Sequence, residues 1–329
     1  MLYPAPVVVD ADVLIRNVDY ALRTGRPGKL LDSASRNYTL RSGVVLFAAP
    51  QIAEEAIRHL GEVAERRGVP LAQVREAWNT LIVPKVRLVP VSLEVVDDHR
   101  VAEVGALHAA DVHTAALVAL LADCVLASDN RKHFRPFGLP DCKEVPTDAV
   151  SSDLLSLSRF GIGAEGVMLV PKLAGAATIE GFKRVIATVG RDGAVLIALI
   201  VLGGAFLLAT SEPARRLCSQ IADVVGRAGP PLMQYMAKTI AAGDRVGAFA
   251  VDRVGEPDAL AVVARRLAIG QPVMSTAEVA QELRMHGFGF RSGRGHQAQT
   301  RAWLTRMECF YEVRRGHWAL GYHADPISL

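Results

Sequence analysis

Short apolar runs alternate with helical patterns along the first 150 residues, and this alternation leaves few folds open to the chain. Four runs have the length and apolar composition of strands: VVVDADVLI, VVLFAAP, VRLVPVS and CVLAS. Segments with the apolar spacing of helices lie between or after them, at residues 51–67, 71–81 and about 110–122. Strands separated by helices of this length predict an α/β fold, with a mainly parallel sheet flanked by helices.

Acidic residues occur where these strands end or these helices begin. Asp10 closes the first apolar run, Asp111 opens an alanine-rich helix, and Asp129 follows the strand CVLAS. Glu54 and Glu55 lie on the helix after the second strand. Ligands of open α/β sheets bind beyond the carboxyl ends of the strands, and Mg²⁺ takes oxygen ligands. The acids therefore predict a divalent metal site and indicate a nuclease.

Each carboxylate also has an ordinary structural explanation. Asp10 and Asp111 are residues that cap turns or helix N-termini, and Asp129 is a common turn residue. One of the adjacent pair Glu54 and Glu55 is expected to be a solvated surface charge. Capping does not explain why all of them fall on the strand-end side of one sheet, so we favour the metal site.

The N-terminal 145 or so residues resemble a PIN domain, a family of Mg²⁺- or Mn²⁺-dependent ribonucleases that includes many bacterial toxins of toxin–antitoxin pairs. VVVDADVLI matches the opening strand of the family and places its first acid on Asp10. The family pattern E-x-x-x-x-L favours Glu55 over Glu54 as the second acid, with Leu60 as the leucine. The third acid opens an alanine-rich helix and falls on Asp111.

The chain departs from the family's pattern at two places. Asp12 stands where the family usually has Ser, Thr or Asn. The last element of the family, T-x-N or T-x-D shortly before Phe, reads Ser128-Asp129-Asn130 here. Counted back from Phe134, the final polar position is Asn130, whereas the carboxylate is Asp129. The identity of the fourth ligand is therefore left open.

The resemblance implies a metal-dependent endoribonuclease that hydrolyses RNA phosphodiester bonds. The implied catalytic and metal-binding set, with Mg²⁺ or Mn²⁺ as the cofactor, is Asp10, Glu55, Asp111 and Asp129. A bound cation would activate a water and polarise the phosphodiester for in-line attack. Ser128 or Asn130 would help to hold a water or a phosphate. His133 resembles a catalytic base, but in a polar turn we expect it to be a surface residue.

The middle of the chain is expected to be a linker, residues 151–192, and a helical connector, residues 211–256, on either side of an apolar segment. That segment, residues 193–210, reads GAVLIALIVLGGAFLLAT and has no charged side chain. Its length is at the lower limit for crossing a bilayer. A buried helix of a soluble core is the alternative. We favour membrane insertion, because core helices usually carry some polar residues on one face.

Residues 257–329 are expected to form a small α+β unit in the order helix, helix, helix, hairpin. Ser275 and Glu278 predict a capping box, and YEVRRGHWALGYH predicts two strands around Arg315-Gly316. This order loosely resembles a winged helix. Arginines cluster here, and Arg314 and Arg315 on the wing are expected to contact the phosphates of a nucleic acid. Many winged helices bind protein instead, so that alternative stays open.

Cysteine usage and charge restrict the setting only weakly. The four cysteines are scattered without a CxxC pair, which argues against a disulfide framework and fits a reducing compartment. The first residues lack the features of a signal peptide. We therefore expect a cytoplasmic nuclease domain, tethered to a membrane by residues 193–210. A net charge of +3 neither demands nor excludes nucleic acid.

Two questions stay open at the level of sequence. A single membrane crossing would place the two folded units on opposite sides, so either the apolar segment is buried or re-entrant, or the C-terminal unit binds a partner outside. The rival function is a non-catalytic regulator, in which a PIN-like scaffold carries a winged helix that binds nucleic acid or protein. The expected partners are RNA and an antitoxin or another protein.

Overall fold

The computed structural model describes residues 5–34, 44–140, 146–156, 238, 241–242, 245–246, 249–251, 256–269, 271–288 and 295–328. The strands are β1 (Ala5–Val9), β2 (Val44–Ala48), β3 (Val86–Leu88), β4 (Cys124–Ala127), β5 (Ala250–Val251), β6 (Met274–Ser275), β7 (Phe310–Arg314), β8 (His317–Leu320) and β9 (Tyr322–His323). The helices are α1 (Ala11–Thr24), α2 (Lys29–Ser33), α3 (Pro50–Arg58), α4 (Leu60–Arg67), α5 (Leu71–Leu81), α6 (His99–Leu107), α7 (Val112–Leu121), α8 (Ala259–Ile269), α9 (Thr276–Met285) and α10 (His296–Arg306). Tight 3₁₀ turns span Leu93–Val95, Ala109–Asp111 and Arg131–Phe137.

The larger sheet has six strands in the order β5-β4-β1-β2-β3-β9. Its four inner strands are parallel, as the sequence predicts. The expected, mainly parallel sheet is therefore confirmed, and it is mixed only because β5 and β9 join its two edges in antiparallel orientation. Both edge strands come from the C-terminal half of the chain, where two-residue strands leave no alternating pattern to recognise.

The central strand and most of helix α7 are apolar because neighbouring elements cover them on nearly all sides. Val7, Val8 and Val9 of β1 are each 0% exposed between β2 and β4. Such continuous apolar runs are typical of parallel strands with both faces buried. Helix α7 packs against α6, α8 and β1, so it has no solvent face that needs polar residues.

Residues 259–320 form a second layered unit with a three-stranded sheet in the order β6-β8-β7. The predicted capping box at the start of α9 is confirmed, because Ser275 and Glu278 bond each other's backbone N–H groups. The predicted hairpin is also confirmed, with β7 and β8 antiparallel and Gly316 in the turn at φ +73°.

The two units are joined by main-chain pairing as well as by apolar packing. β9 pairs with β3 through Arg87 and His323. The chain reaches β9 through Gly321, at φ +66°, where an added Cβ would lie 2.5 Å from the carbonyl oxygen of Leu88. Only a glycine fits this approach of two backbones. Helix α8 packs against α7, and Arg265 pairs with Asp123 beside it.

The apolar segment 193–210, on which the predicted tether depends, lies outside the described residues, as do residues 157–237 as a whole. Within the ranges that the structure describes, we find no helix with both the length and the apolar character needed to cross a membrane.

Candidate metal centre

Asp10 lies at the carboxyl end of the central strand, where the chain turns from β1 into α1. It is only 5% exposed. Its Oδ1 accepts a hydrogen bond from the N–H of Ala11 at 3.0 Å, and its Oδ2 accepts one from the hydroxyl of Ser128 at 2.7 Å. The ordinary capping explanation is therefore correct for one oxygen, while the other faces the end of β4.

The electrostatics of Asp10 show which other acids are nearby. Burial first, and then the negative charges of Asp111 and Glu55, outweigh the lowering effect of the Ser128 and Ala11 hydrogen bonds and together raise the pKa of Asp10 to about 6. Asp10 therefore lies within electrostatic reach of Glu55 and Asp111. Glu55 is half-buried, whereas its neighbour Glu54 is exposed, in agreement with the pattern that favoured Glu55.

Asp12 is a member of this acidic cluster that the sequence-based ligand set left out. Burial, together with the charges of Asp10 and Asp129, raises its pKa to about 7. Its Oδ2 accepts a hydrogen bond from the backbone N–H of Asp129 at 2.9 Å. Its Oδ1 is buried and has no hydrogen-bond partner among the described residues. The sequence feature that could have identified Asp12 is its position two residues after Asp10, in the first turn of α1.

Asp129 follows β4, as predicted, but its carboxylate is engaged by a cation of the protein. Arg16 Nη1 lies 2.5 Å from Asp129 Oδ2, and both side chains are about one-third exposed, at 38% and 34%. Arg16 Nη2 also lies 3.9 Å from Asp148. Asp129 therefore stands on the Asp12 side of the cluster, and a metal ion would have to compete with Arg16 for its carboxylate.

The two neighbours of Asp129 that were expected to bind substrate have different surroundings. Ser128 is buried, donates to Asp10 and accepts a hydrogen bond from the backbone N–H of Asn130 at 3.0 Å. The Ser128 hydroxyl thus orients Asp10. The residue Asn130 is exposed beside the acids, where a substrate can reach it.

Asp111 faces two histidines instead of capping its helix. It is 8% exposed, and its Oδ2 lies 2.7 Å from His133 Nδ1 and 3.1 Å from His108 Nδ1. The two imidazole rings stack with their centroids 4.6 Å apart and an interplanar angle of 18°. The expectation that His133 is a surface residue is wrong, because its side chain is 23% exposed and contacts Asp111. His108 was not recognised at all.

The predicted wing residues lie apart from these acids in the chain, at the tip of the β7–β8 hairpin. Arg314 ends β7 and Arg315 begins the turn, and both are exposed. A third arginine of this unit, Arg301, pairs with Glu312 at 3.0 Å.

The carboxylates of this cluster are oxygen donors of the type that Mg²⁺ and Mn²⁺ take. Among the described residues, however, the group of side chains whose ligand atoms all lie within 4.8 Å of one another is His108, Asp111 and His133. The predicted ligands Asp10, Glu55, Asp111 and Asp129 are not brought together to that distance. Comparisons of this chain with protein-family models, with curated proteins and with solved structures each found no match.

Proposed function

We propose that the protein is a metal-dependent endoribonuclease that uses Mg²⁺ or Mn²⁺. The observation that carries the proposal is the position of Asp10, which is buried at the carboxyl end of the central parallel strand beside the charges of Glu55 and Asp111. Acids crowded together in this way weaken the fold, and perturbed acids in such a place favour a functional role. A bound cation would offset the repulsion between these carboxylates.

The residues around the cluster have separate roles in this proposal. Ser128 and the N–H of Ala11 hold the two oxygens of Asp10 in one orientation. Arg16, which is partly exposed and pairs with Asp129, would exchange that carboxylate for a phosphate of the RNA. Asp10, Glu55 and Asp111 would hold the cation, which would supply an activated water and charge stabilisation at the phosphodiester.

The finer assignments of fold and partner belong to the same proposal. We assign residues 5–140 to a PIN-like fold and residues 259–320 to a winged helix. Arg314 and Arg315 would then contact nucleic acid from the wing. An antitoxin-like protein partner, a cytoplasmic location and a membrane tether at residues 193–210 complete the proposal and remain to be tested.

One observation favours a second candidate, the non-catalytic regulator. Asp129 is paired with Arg16, so the fourth acid of the cluster is already neutralised by the protein. A scaffold that has lost its metal would tolerate such a pair, and the winged helix would then carry the function.

RNA cleavage by the full-length chain tests the proposal, because β5 and β9 make the larger sheet depend on residues beyond 250. We expect the wild type to cleave RNA with Mn²⁺ and not with chelator. Both Asp10→Asn and Glu55→Gln should lose at least about 100-fold in rate, the scale of removing one electrostatic contact to a transition state. Glu54→Gln is the matched control and should retain full activity. A folded wild type that never cleaves RNA would favour the regulator.

A further inference from the structure

Two histidines that the acid cluster does not require converge on Asp111. His108 follows α6 directly, and His133 lies in the 3₁₀ turn that follows β4, so the two come from separate parts of the fold. One ligand atom from each of these histidines and from Asp111 lies within 4.8 Å of the other two. The acid cluster does not explain why two imidazoles and one carboxylate lie together here.

The counter-charge of Asp111 differs from that of other acids in the protein. Asp129 pairs with Arg16, and Asp98 pairs with Arg100 at 2.7 Å. Within the described ranges, the ion-pair partners of Asp111 are the two histidines alone. A guanidinium is always positively charged and therefore disfavours a metal cation beside its carboxylate. A neutral imidazole has a lone pair that can bind a cation.

The separations of the donor atoms suit a single ion. Two donors bound at about 2.1 Å to one tetrahedral ion such as Zn²⁺ lie about 3.4 Å apart. The distances from Asp111 Oδ2 to the two Nδ1 atoms are 2.7 and 3.1 Å, so the side chains need to separate by less than about 1 Å to admit the ion. The side chains of Asp111, His133 and His108 are 11%, 23% and 50% exposed. Asp111 and His133 are therefore largely buried, and the group is open to solvent at His108.

We infer that His108, Asp111 and His133 form a binding site for a transition-metal ion such as Zn²⁺ or Co²⁺, distinct in preference from a magnesium site. Mg²⁺ takes oxygen ligands and dehydrates reluctantly, while imidazole nitrogens suit zinc and its neighbours. Two nitrogens and one oxygen leave coordination positions for water or for a substrate oxygen. The inference does not depend on the proposed nuclease function, because it concerns binding of the ion alone.

The position of Asp111 gives this site a link to the acid cluster. The charge of Asp111 acts on Asp10 and raises its pKa, so the carboxylate lies within electrostatic reach of both groups. An ion bound to Asp111 would reduce the negative charge that this residue presents to Asp10.

Visible absorption of bound Co²⁺ tests the inference without any assay of activity. The full-length protein, freed of metal, is titrated with Co²⁺ in excess Mg²⁺, which occupies the oxygen sites. We expect one equivalent of Co²⁺ to give a visible spectrum and Zn²⁺ to displace it. His108→Gln and His133→Gln should each weaken Co²⁺ binding by more than about 100-fold, beyond the loss produced by an outer partner of a metal site.

His99→Gln is the matched control. His99 also has carboxylates nearby, with Asp98 and Glu103 each 4.0 Å away, but it lacks the second imidazole of the proposed site. This variant should bind Co²⁺ like the wild type. Equal loss in all three variants, or binding in none of the proteins including the wild type, would overturn the inference.

A measurement on the wild type alone covers the case in which the histidine variants fail to fold. Long-range ¹H–¹⁵N spectra should show that Zn²⁺ shifts the ring nitrogens of two of the nine histidines. Shifts of none, or of all nine in proportion, would contradict the site. RNA cleavage with Mg²⁺ that is unaffected by either variant, together with a lack of Co²⁺ binding, would leave the nuclease proposal standing without this site. Co²⁺ binding without any RNA cleavage would support the histidine site and contradict the nuclease proposal.

Discussion

The hydroxyl of Ser128 donates a 2.7 Å hydrogen bond to Oδ2 of Asp10 across 118 positions of sequence. It joins the ends of two neighbouring parallel strands, β1 and β4, at the point where the acids converge. Among the influences on Asp10, this bond is the largest that lowers its pKa, and burial is the largest that raises it.

Ser128→Ala should therefore raise the pKa of Asp10 further above about 6 and destabilise the fold at neutral pH. Loss of a hydrogen bond to a charged group costs about 1.5–3 kcal/mol. Denaturant unfolding at several pH values measures the effect. Ser151→Ala is the control, since Ser151 is also buried and donates to a backbone carbonyl, that of Thr147, at 2.8 Å. A pH dependence that is identical in the two variants would contradict the role given to Ser128.

The stability of the metal-free protein should fall as the pH rises from about 4 to about 7. The folded-state pKa values of Asp10 and Asp12, about 6 and about 7, lie above the ordinary value of 3.8, so the folded protein binds more protons in this range. The free energy of unfolding then decreases with pH by several kcal/mol, on the scale of about 1.4 kcal/mol for each pKa unit.

Thermal unfolding in chelator, compared between wild type and Asp10→Asn, isolates this effect from other titrating groups. The variant should melt higher than the wild type above about pH 7 and should lose most of the difference below about pH 4, where the aspartates are protonated. Mn²⁺ should stabilise the wild type most at the higher pH. A wild type that is more stable than Asp10→Asn in chelator at high pH would contradict the crowding of acids.

Gly321→Ala should destabilise the protein by about 3 kcal/mol, because it combines a left-handed backbone with a clash against Leu88. Gly68→Ala is the matched control: Gly68 has nearly the same φ, +63°, with nothing within 4 Å of an added Cβ. That change should cost about 1 kcal/mol. Urea unfolding curves measure both. Equal losses would show that the contact between β9 and β3 adds nothing to stability.

Removal of the two exposed hairpin arginines tests nucleic-acid binding by the C-terminal unit. Arg314→Gln combined with Arg315→Gln should weaken RNA binding at low salt and reduce the slope of log K against log salt by about 1.4, if both side chains contact phosphates of a single strand. Fluorescence anisotropy over a salt series measures the slope. Arg66 of α4 and Arg75 of α5 lie in the N-terminal half of the chain, outside the hairpin. The same double loss of charge at these two arginines should leave the slope unchanged, and equal effects would indicate non-specific attraction.

Strand ends with their acids could be predicted because the signal is local. Val7 to Val9 form a continuous apolar run, and the first polar residue after it, Asp10, must lie at the strand's carboxyl end. The same argument located Asp129 after β4 and Glu55 on the helix after β2. In each case a change in polarity over a few residues marks where an element ends.

The contacts of Asp111 could not be predicted because they depend on tertiary structure. His133 lies 22 residues after Asp111 and reaches it only through the turn that follows β4. His108 lies three residues before Asp111, but its role depends on a 3₁₀ turn that has no sequence signature. The pair Arg16 and Asp129 likewise joins two elements that are distant in sequence.

The strands β5 and β9 also have a consequence for synthesis of the chain. On the ribosome, all four parallel strands of the larger sheet emerge before either of the segments that cover its edges, which come after residue 249. Until then the nascent sheet presents unpaired N–H and C=O groups on both sides, a surface prone to joining other chains. The larger sheet is thus complete only when Tyr322 and His323 have left the ribosome.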